Sequence, residues 1–360
     1  MTHFTQSRSL SFALLLGVLW VALLATSPSR AQVQFSENVV LAYPRSNNSV
    51  NVRWTPASNL HNWQSGAFTN PFLPGKGVGL IIDEFGALHA VISDTSRSIR
   101  SVLSMGPASW SNSFQTVPVS PPKTSPVGVS TGNNRWAVAY TQEGSTVFVG
   151  IVDSGQLIAN VGPFDNLNKD VVGRPSIAIS GDTVVAAWRR NTGTLIVAKG
   201  TVKDQTLSFT LVSSLPTAAG TGLTAGVVSD PVVARAGSDF YVAVVRTQQG
   251  GGAGTLHGWR TQLFKSEDQG STWSSVSITG ALAVDNGTHL GLAGTSHGTL
   301  LCVALNGIWD RQNNRPSGRA SPSAASFSNG AWTSFSSAEI NAMFNHVPTH
   351  QPFAILSSKE

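Results

Sequence analysis

The chain has 360 residues, 23 Lys and Arg against 18 Asp and Glu, a formal charge of +5 and a charged fraction of only 11%. So mild a positive balance, with no Lys/Arg run, excludes an electrostatic nucleic-acid binder. A single cysteine excludes an intrachain disulfide, so stability must come from a core, which a chain of this length can bury.

Residues 1–31 read as a secretory signal peptide. Arg8 lies in a short polar start, an apolar run extends from Phe12 to Ala25, and polar TSPSRA ends at small Ala31. The run is short for a bilayer span, and no cysteine follows it to carry a lipid. Cleavage after Ala31 removes two bases, Arg8 and Arg30, and no acid, leaving a mature charge of about +3. The expectation is an exported protein, secreted or periplasmic, with residues 32–360 as one domain and no membrane span. Its low charge and many Gly, Ser, Thr and Asn point to an all-β fold.

Beyond residue 31 the chain opens with NVVLAYPRSNNSVNVRW, which reads as two strands with no strand before them. Five similar segments follow: VGLIIDEFGALHAVISD from Val78, VGVSTGNNRWAVAYTQ from Val127, PSIAISGDTVVAAWRR from Pro175, PVVARAGSDFYVAVVRT from Pro231 and LGLAGTSHGTLLCVALN from Leu290. Each is an apolar strand, a small or polar turn and a second apolar strand, the pattern of a tight hairpin. A third alternating strand comes next, as in TLIVAKGTV or GWRTQLFKS, then a turn and a fourth. The interval of roughly 48 to 60 residues suits a four-stranded propeller blade. SSAEINAMF breaks the pattern, where Ser336 with Glu339 forms a capping box and predicts a short helix. The chain ends on PFAILSSKE, a first strand without a partner. Joined to NVVLAYPR, it matches PSIAISGD plus TVVAAWRR. The predicted fold is therefore a six-bladed β-propeller of four-stranded antiparallel blades, closed by pairing of the N- and C-terminal strands in one shared blade. Such closure leaves no raw sheet edge; a β-sandwich accounts for neither the repeat nor the complementary ends.

Between the third and fourth strands of one blade lies SEDQGSTW, residues 266–273. Asp268 can accept from nearby backbone N–H groups, Gly270 can take positive φ, and Trp273 can pack into the blade; Ser266 and Thr272 complete the pattern S-x-D-x-G-x-T-W. Weaker echoes end at Trp110, Trp332 and Trp63. With the repeat, this motif resembles the Asp-box of the sialidase-like, BNR-repeat β-propeller superfamily over nearly all of the mature chain. The resemblance implies ligands at the channel mouth, on the face formed by the loops joining strands two to three and blade to blade. The motif itself falls on the opposite face and reports shape.

On the ligand face the strand starts offer Lys76, Ser125, Arg174, Asp230, His289 and Gln351. After the second strands come Arg45, Asp94, Arg97, Gln142, Glu143, Arg189, Arg190, Arg246 and Asn306, with Tyr43, Tyr140 and Trp188 ending three of those strands. Arginines, carboxylates and flat aromatic faces suit sugar or carboxylate recognition, so the ligand-binding candidates are Arg174, Asp230, His289, Arg189, Arg246, Trp188, Tyr140 and Glu143. Locally paired polar residues at a wet channel mouth are the other reading.

The resemblance also implies sialidase machinery: three arginines on a carboxylate, a Tyr nucleophile with its Glu, and an Asp acid/base. The opening F/Y-R-I-P motif is absent, GRPS at Arg174 is a faint echo, and no Tyr follows Tyr241. Tyr140 with Glu143 is the substitute pair that can be drawn. HVPTH places His346 and His350 around a proline, which breaks any helix that would align them on a metal. GGGAG from Gly250 lacks the Lys-Ser/Thr of a phosphate cradle. NNS at Asn47 and NGT at Asn286 match glycosylation sequons. No cofactor and no metal are expected. Three functions stay open: a non-catalytic or degenerate module binding a glycan or other cell-surface ligand, a glycoside hydrolase with a rearranged site, and an extracellular protein-interaction scaffold.

Overall fold

A computed structural model describes residues 37–45, 49–69, 78–82, 88–93, 99–106, 109–117, 127–132, 135–142, 146–153, 156–162, 170–203, 206–215, 229–249, 256–278, 287–310, 315–344 and 353–357. The signal segment 1–31 lies outside them, as do Lys76, Asp94, Arg97, Ser125, Glu143, His346, His350, Gln351, the 250–254 loop and both sequon asparagines. The protein is all-β apart from one short helix among the described residues. In chain order the strands are β1 (Asn38–Pro44), β2 (Ser49–Pro56), β3 (Gln64–Thr69), β4 (Val78–Ile82), β5 (Leu88–Ser93), β6 (Ile99–Gly106), β7 (Ser109–Val117), β8 (Val127–Gly132), β9 (Arg135–Gln142), β10 (Thr146–Asp153), β11 (Gln156–Val161), β12 (Val171–Ser180), β13 (Thr183–Arg190), β14 (Leu195–Lys203), β15 (Thr206–Leu215) and β16 (Val232–Ala236). They continue with β17 (Asp239–Gln249), β18 (Leu256–Ser266), β19 (Ser274–Val276), β20 (Gly287–Gly294), β21 (Leu300–Asp310), β22 (Arg315–Ser328), β23 (Ala331–Ser334), helix α1 (Ser337–Met343) and β24 (Ala354–Ser357).

Among the described residues the strands form six four-stranded antiparallel sheets. The first is ordered β24-β1-β2-β3, and the second to sixth take β4–β7, β8–β11, β12–β15, β16–β19 and β20–β23 in turn. The C-terminal strand therefore pairs with the N-terminal one, as its sequence suggested. The pairing runs Ala42 with Ala354 to Val39 with Ser357. Its register is one residue off the match to β12 and β13, where Ser180 faces Thr183 across the turn. There Gly181 takes φ +55° and lets two residues reverse the chain. The first sheet joins its two strands through no such turn, so its register is set by packing alone.

First strands lie side by side: β4 touches β8, β8 touches β12, β12 touches β16, β16 touches β20, β20 touches β24, and β24 touches β4. Apolar seams fill the space between consecutive sheets. Val184, Ala186 and Trp188 of β13 pack with Ala137, Ala139 and Val149 of the third sheet. Val185 and Ala187 turn the other way, against Val242, Val244 and Phe264 of the fifth. This alternation explains the unbroken apolar run VVAAW, residues 184–188: a middle strand covered on both faces has no polar side there. Full burial of each larger aliphatic contributes about 1.5–3 kcal/mol.

Helix α1 starts on the predicted capping box, with Ser336 Oγ accepting from Glu339 N and Glu339 accepting from Ser336 N. His61 of the β2–β3 connection lies 2.5 Å from the Glu339 carboxylate. Buried Arg53 of β2 donates to the carbonyls of Trp63 and Ala342, tying the first sheet to α1. Cys302 is fully buried on β21, and desolvation pushes its thiol up to about 12. Its modification by a thiol reagent near neutral pH is expected to track global unfolding rather than the native state, as rates with and without denaturant would report.

The Ser266–Trp273 turn joins β18 to β19 and is knitted by its own side chains. Asp268 Oδ1 accepts from Ser271 N (3.0 Å), Thr272 N (2.8 Å) and Ser266 Oγ (2.8 Å), while Oδ2 accepts from Thr272 Oγ1 (2.7 Å). Gly270 takes φ +85° and donates to Ser266 Oγ. The turn seats on the fourth sheet, where Lys199 Nζ donates to Ser271 Oγ (2.6 Å) and Trp273 packs into the seam between the fourth and fifth sheets. Backbone and side-chain donors from Thr272 hold the Asp268 carboxylate far below the usual range. A depressed carboxylate pKa stabilises the fold above its unfolded value near ~4 and loses that contribution as pH falls through the folded value. Asp268→Ala removes four hydrogen bonds from an exposed, solvent-screened turn and is expected to lower stability by about 1 kcal/mol at neutral pH. Wild type and variant should converge toward pH ~2, which denaturant melts at several pH values would check.

Candidate functional site

The polar chemistry gathers where the ends of β12, β13 and β17 meet. It begins with a bulge. Val172 of β12 faces Arg189, but the next pair is Ser176 with Ala187, so β12 carries two extra residues there. Gly173, at φ +77°, and Pro175, which lacks an N–H, accommodate the distortion. Thr141 of β9 donates to the Gly173 carbonyl at 3.1 Å and steadies it from the third sheet.

The bulge swings Arg174 inward. The side chain is buried, with Nη1 donating to the Val78 carbonyl of β4 (2.9 Å) and Nη2 to the Phe353 carbonyl (2.8 Å). One guanidinium from the fourth sheet thus joins the second sheet to the start of β24. Desolvation lowers its pKa, and the Asp230 carboxylate opposes that shift.

Asp230 precedes β16. Ser229 pins the segment to β17, its Oγ accepting from Val245 N at 2.7 Å and its N–H donating to the Val245 carbonyl at 3.4 Å. The Asp230 carboxylate lies against the bulge, where a Cβ on Gly173 would overlap its Oδ1. Arg189 Nη2 stands 3.8 Å from the same oxygen. That is longer than the 2.7–2.9 Å or so of a charge-assisted hydrogen bond. Desolvation lowers the Arg189 pKa as well, again opposed by Asp230.

Strand alternation puts Arg246 at the same place. Arg189 continues the face of Val185 and Ala187, and Arg246 that of Val242 and Val244, and these four residues share one apolar cluster. The two arginines therefore face each other across the seam between the fourth and fifth sheets. Leu195, Val197 and Leu215 belong to the same buried cluster. The Nε atoms of both arginines are buried without a hydrogen-bond partner among the described residues.

The remaining candidates lie elsewhere. Trp188 is wholly buried in the seam on the other side of β13. Tyr140 is buried and stacks on Phe148, ring centroids 5.7 Å apart at 19°; Tyr43 is buried and its hydroxyl accepts from Asn51 Nδ2. None of the three offers a ring face to solvent. His289 of β20 pairs with Leu305 and, by alternation, shares the face of Gly291, which abuts Phe353 and Ile355 of the first sheet. Arg190 lies 3.9 Å from Asp170 on the far side of β13 from Arg189. Glu143 is outside the described residues. Sequence reasoning missed Gly173, Thr141 and Ser229; the GRP tripeptide at the start of an apolar strand is a bulge signal. Among the described residues no group of three or more His, Cys, Asp and Glu can hold a metal, and no helix is long and apolar enough to cross a membrane.

No protein-family model and no curated protein matches the sequence. Among solved structures the chain is similar to a thermostable family-43 glycoside hydrolase (TM-score 0.43, 11% identity, 75% of this chain and 96% of that one). It is also similar to SapL1 lectin in complex with alpha methyl fucoside (0.45, 13%, 85% and 97%). A third is AofleA from Arthrobotrys oligospora (0.45, 10%, 85% and 88%). Likeness at this level says nothing about ligand or reaction. The fold and site define an all-β protein of repeated four-stranded antiparallel sheets, with Arg174, Arg189, Asp230 and Arg246 placed at one end of neighbouring strands of the fourth and fifth sheets.

Proposed function

We propose that the protein is an exported six-bladed β-propeller of sialidase-like type that binds a glycan or another cell-surface ligand at the channel mouth without hydrolysing it. The round of contacts from β4 through β24 and back to β4 supports six blades in a closed ring, with β24 and β1 sharing one. The hydrogen-bonded Ser266–Trp273 turn, at the end of its blade away from Arg189, supports reading it as an Asp-box. The pattern of residues 1–31 supports export of the single domain 32–360, and N-terminal sequencing of the exported protein should start at Gln32.

The observation that carries binding over catalysis is the commitment of Arg174. An arginine that grips a substrate carboxylate must turn its fork to the solvent, whereas both terminal nitrogens of Arg174 already serve main-chain carbonyls. The burial of Tyr140 points the same way, since a nucleophilic phenol must reach the anomeric carbon.

A rearranged glycoside hydrolase is the second reading. It is favoured by Asp230, a carboxylate 15% exposed beside an arginine. A glycan array together with fluorogenic sialosides and glycosides separates the two. Glycan retention with no turnover is expected. Turnover abolished by Asp230→Asn would establish the hydrolase, and retention of no glycan, with capture of a protein partner, would favour a scaffold.

A further inference from the structure

We propose that the group recognised on the ligand is an anion, a carboxylate or sulfate ester carried by a glycan, held between Arg189 and Arg246 in the seam of the fourth and fifth sheets rather than on the ring axis. The inference deepens the glycan-binding reading and rests on it. Three observations converge on that seam.

The first is orientation. Two arginines from different sheets continue the facing sides of one apolar cluster, so strand alternation directs both side chains toward the same end of that seam. Arg174, by contrast, is buried and already donates through both terminal nitrogens to main-chain carbonyls.

The second is unmet hydrogen bonding. Arg189 and Arg246 each bury an Nε–H without a partner among the described residues. A buried donor left unmade is a standing cost that a ligand oxygen relieves. The side-on fork of an arginine, Nε with one Nη, is the geometry that grips two oxygens of a carboxylate or sulfate. An oxyanion entering the mouth would draw both forks outward and satisfy what the free seam leaves open.

The third is charge. Among the described residues Arg174, Arg189 and Arg246 stand against one carboxylate, that of Asp230, which sits 3.8 Å from Arg189 and leans on Gly173. The nearby Asp170 is matched by Arg190. A neutral sugar hydroxyl can accept from an arginine but leaves the excess charge uncompensated, over a floor of Leu195, Val197 and Leu215 where the low dielectric magnifies it. An anion removes both costs. Asp230 then sets specificity by repelling a ligand anion placed too close to the fourth-sheet side.

The test is titration calorimetry of the mature protein with three oligosaccharides: an oligogalacturonate, a chondroitin sulfate oligomer and a neutral cello-oligosaccharide. At least one acidic ligand should bind about tenfold or more tighter than the neutral one and weaken as salt rises. The carboxylate and sulfate arms show which oxyanion fits. Arg189→Gln and Arg246→Gln should each lower that affinity by about tenfold or more, while Arg190→Gln leaves it unchanged. Arg246→Lys, which keeps charge without the fork, should recover only part of the loss. Thermal melts of each variant identify any that misfold. If a neutral glycan binds as tightly as the acidic ones, or the two Gln substitutions leave affinity intact in folded protein, the inference is overturned and glycan binding stands. If no glycan binds on the array or by calorimetry, the glycan-binding reading itself fails.

Discussion

Arg174→Ala should be among the most damaging single substitutions in this protein, costing about 3–5 kcal/mol of folding stability. The wild-type guanidinium is buried and bridges two main-chain carbonyls, of Val78 in the second sheet and of Phe353 at the start of β24. Removing it leaves both carbonyls without that donor and opens a cavity among the first strands. The Phe353 carbonyl immediately precedes β24, the strand that unites the chain ends, so loss of Arg174 should loosen β24 first. Arg174→Lys keeps a charge but presents one ammonium group in place of a planar fork, and should recover only part of the loss. Denaturant unfolding gives the magnitude, and hydrogen exchange at Ile355 and Leu356 shows whether β24 opens before the rest. An Arg174→Ala protein as stable as wild type would show that the bridge contributes nothing.

The second large effect is expected at Gly173. Its φ of +77° lies where a side chain is strained, and a methyl group there would overlap Asp230 Oδ1 and come within 3.4 Å of Arg189 Nη2. Gly173→Ala should cost about 1 kcal/mol from the backbone and another ~1–2 kcal/mol from displacing the carboxylate. It should also weaken ligand binding, because Arg189 loses its orienting neighbour. A double-mutant cycle separates the two costs: in an Asp230→Gly background, Gly173→Ala should retain only the backbone penalty. Strict additivity would mean that the carboxylate does not pack against the bulge.

The part of this architecture visible in the sequence is the part written in repeated local chemistry. PSIAISGDTVVAAWRR announces its hairpin because Gly181 and Asp182 sit between two apolar runs, and the structure pairs Ser180 with Thr183 across that turn. The capping box at Ser336 is equally local. The union of PFAILSSKE with NVVLAYPR was visible as complementarity. Its register was not, because no turn fixes it and the pairing slips by one residue from the match to β12 and β13.

The site was legible only in part, since two of its determinants are non-local. The strand-ending positions of Tyr140 and Trp188 suggested rim aromatics, yet both rings are buried, Trp188 in a seam between sheets and Tyr140 stacked on Phe148. Adjacent Arg189 and Arg190 look equivalent in the chain. Strand alternation sends one toward Asp230 and Arg246 and the other toward Asp170. Arg174 looked like a ligand arginine because GRPS can signal a bulge but not that the bulge turns the side chain inward onto carbonyls from two other sheets. Residue type indicated where charge collects; only the packing of the fourth sheet against the fifth decides which charges face each other.

The proposed role requires that the protein hold a glycan without cutting it. Its most direct test is to incubate the purified mature protein with the oligosaccharide that it retains best, then to follow retention and product release by mass spectrometry in the same sample. A stable complex from which the glycan is recovered intact is expected, with retention reduced in Arg246→Gln. Release of a shortened glycan that disappears in Asp230→Asn would contradict it.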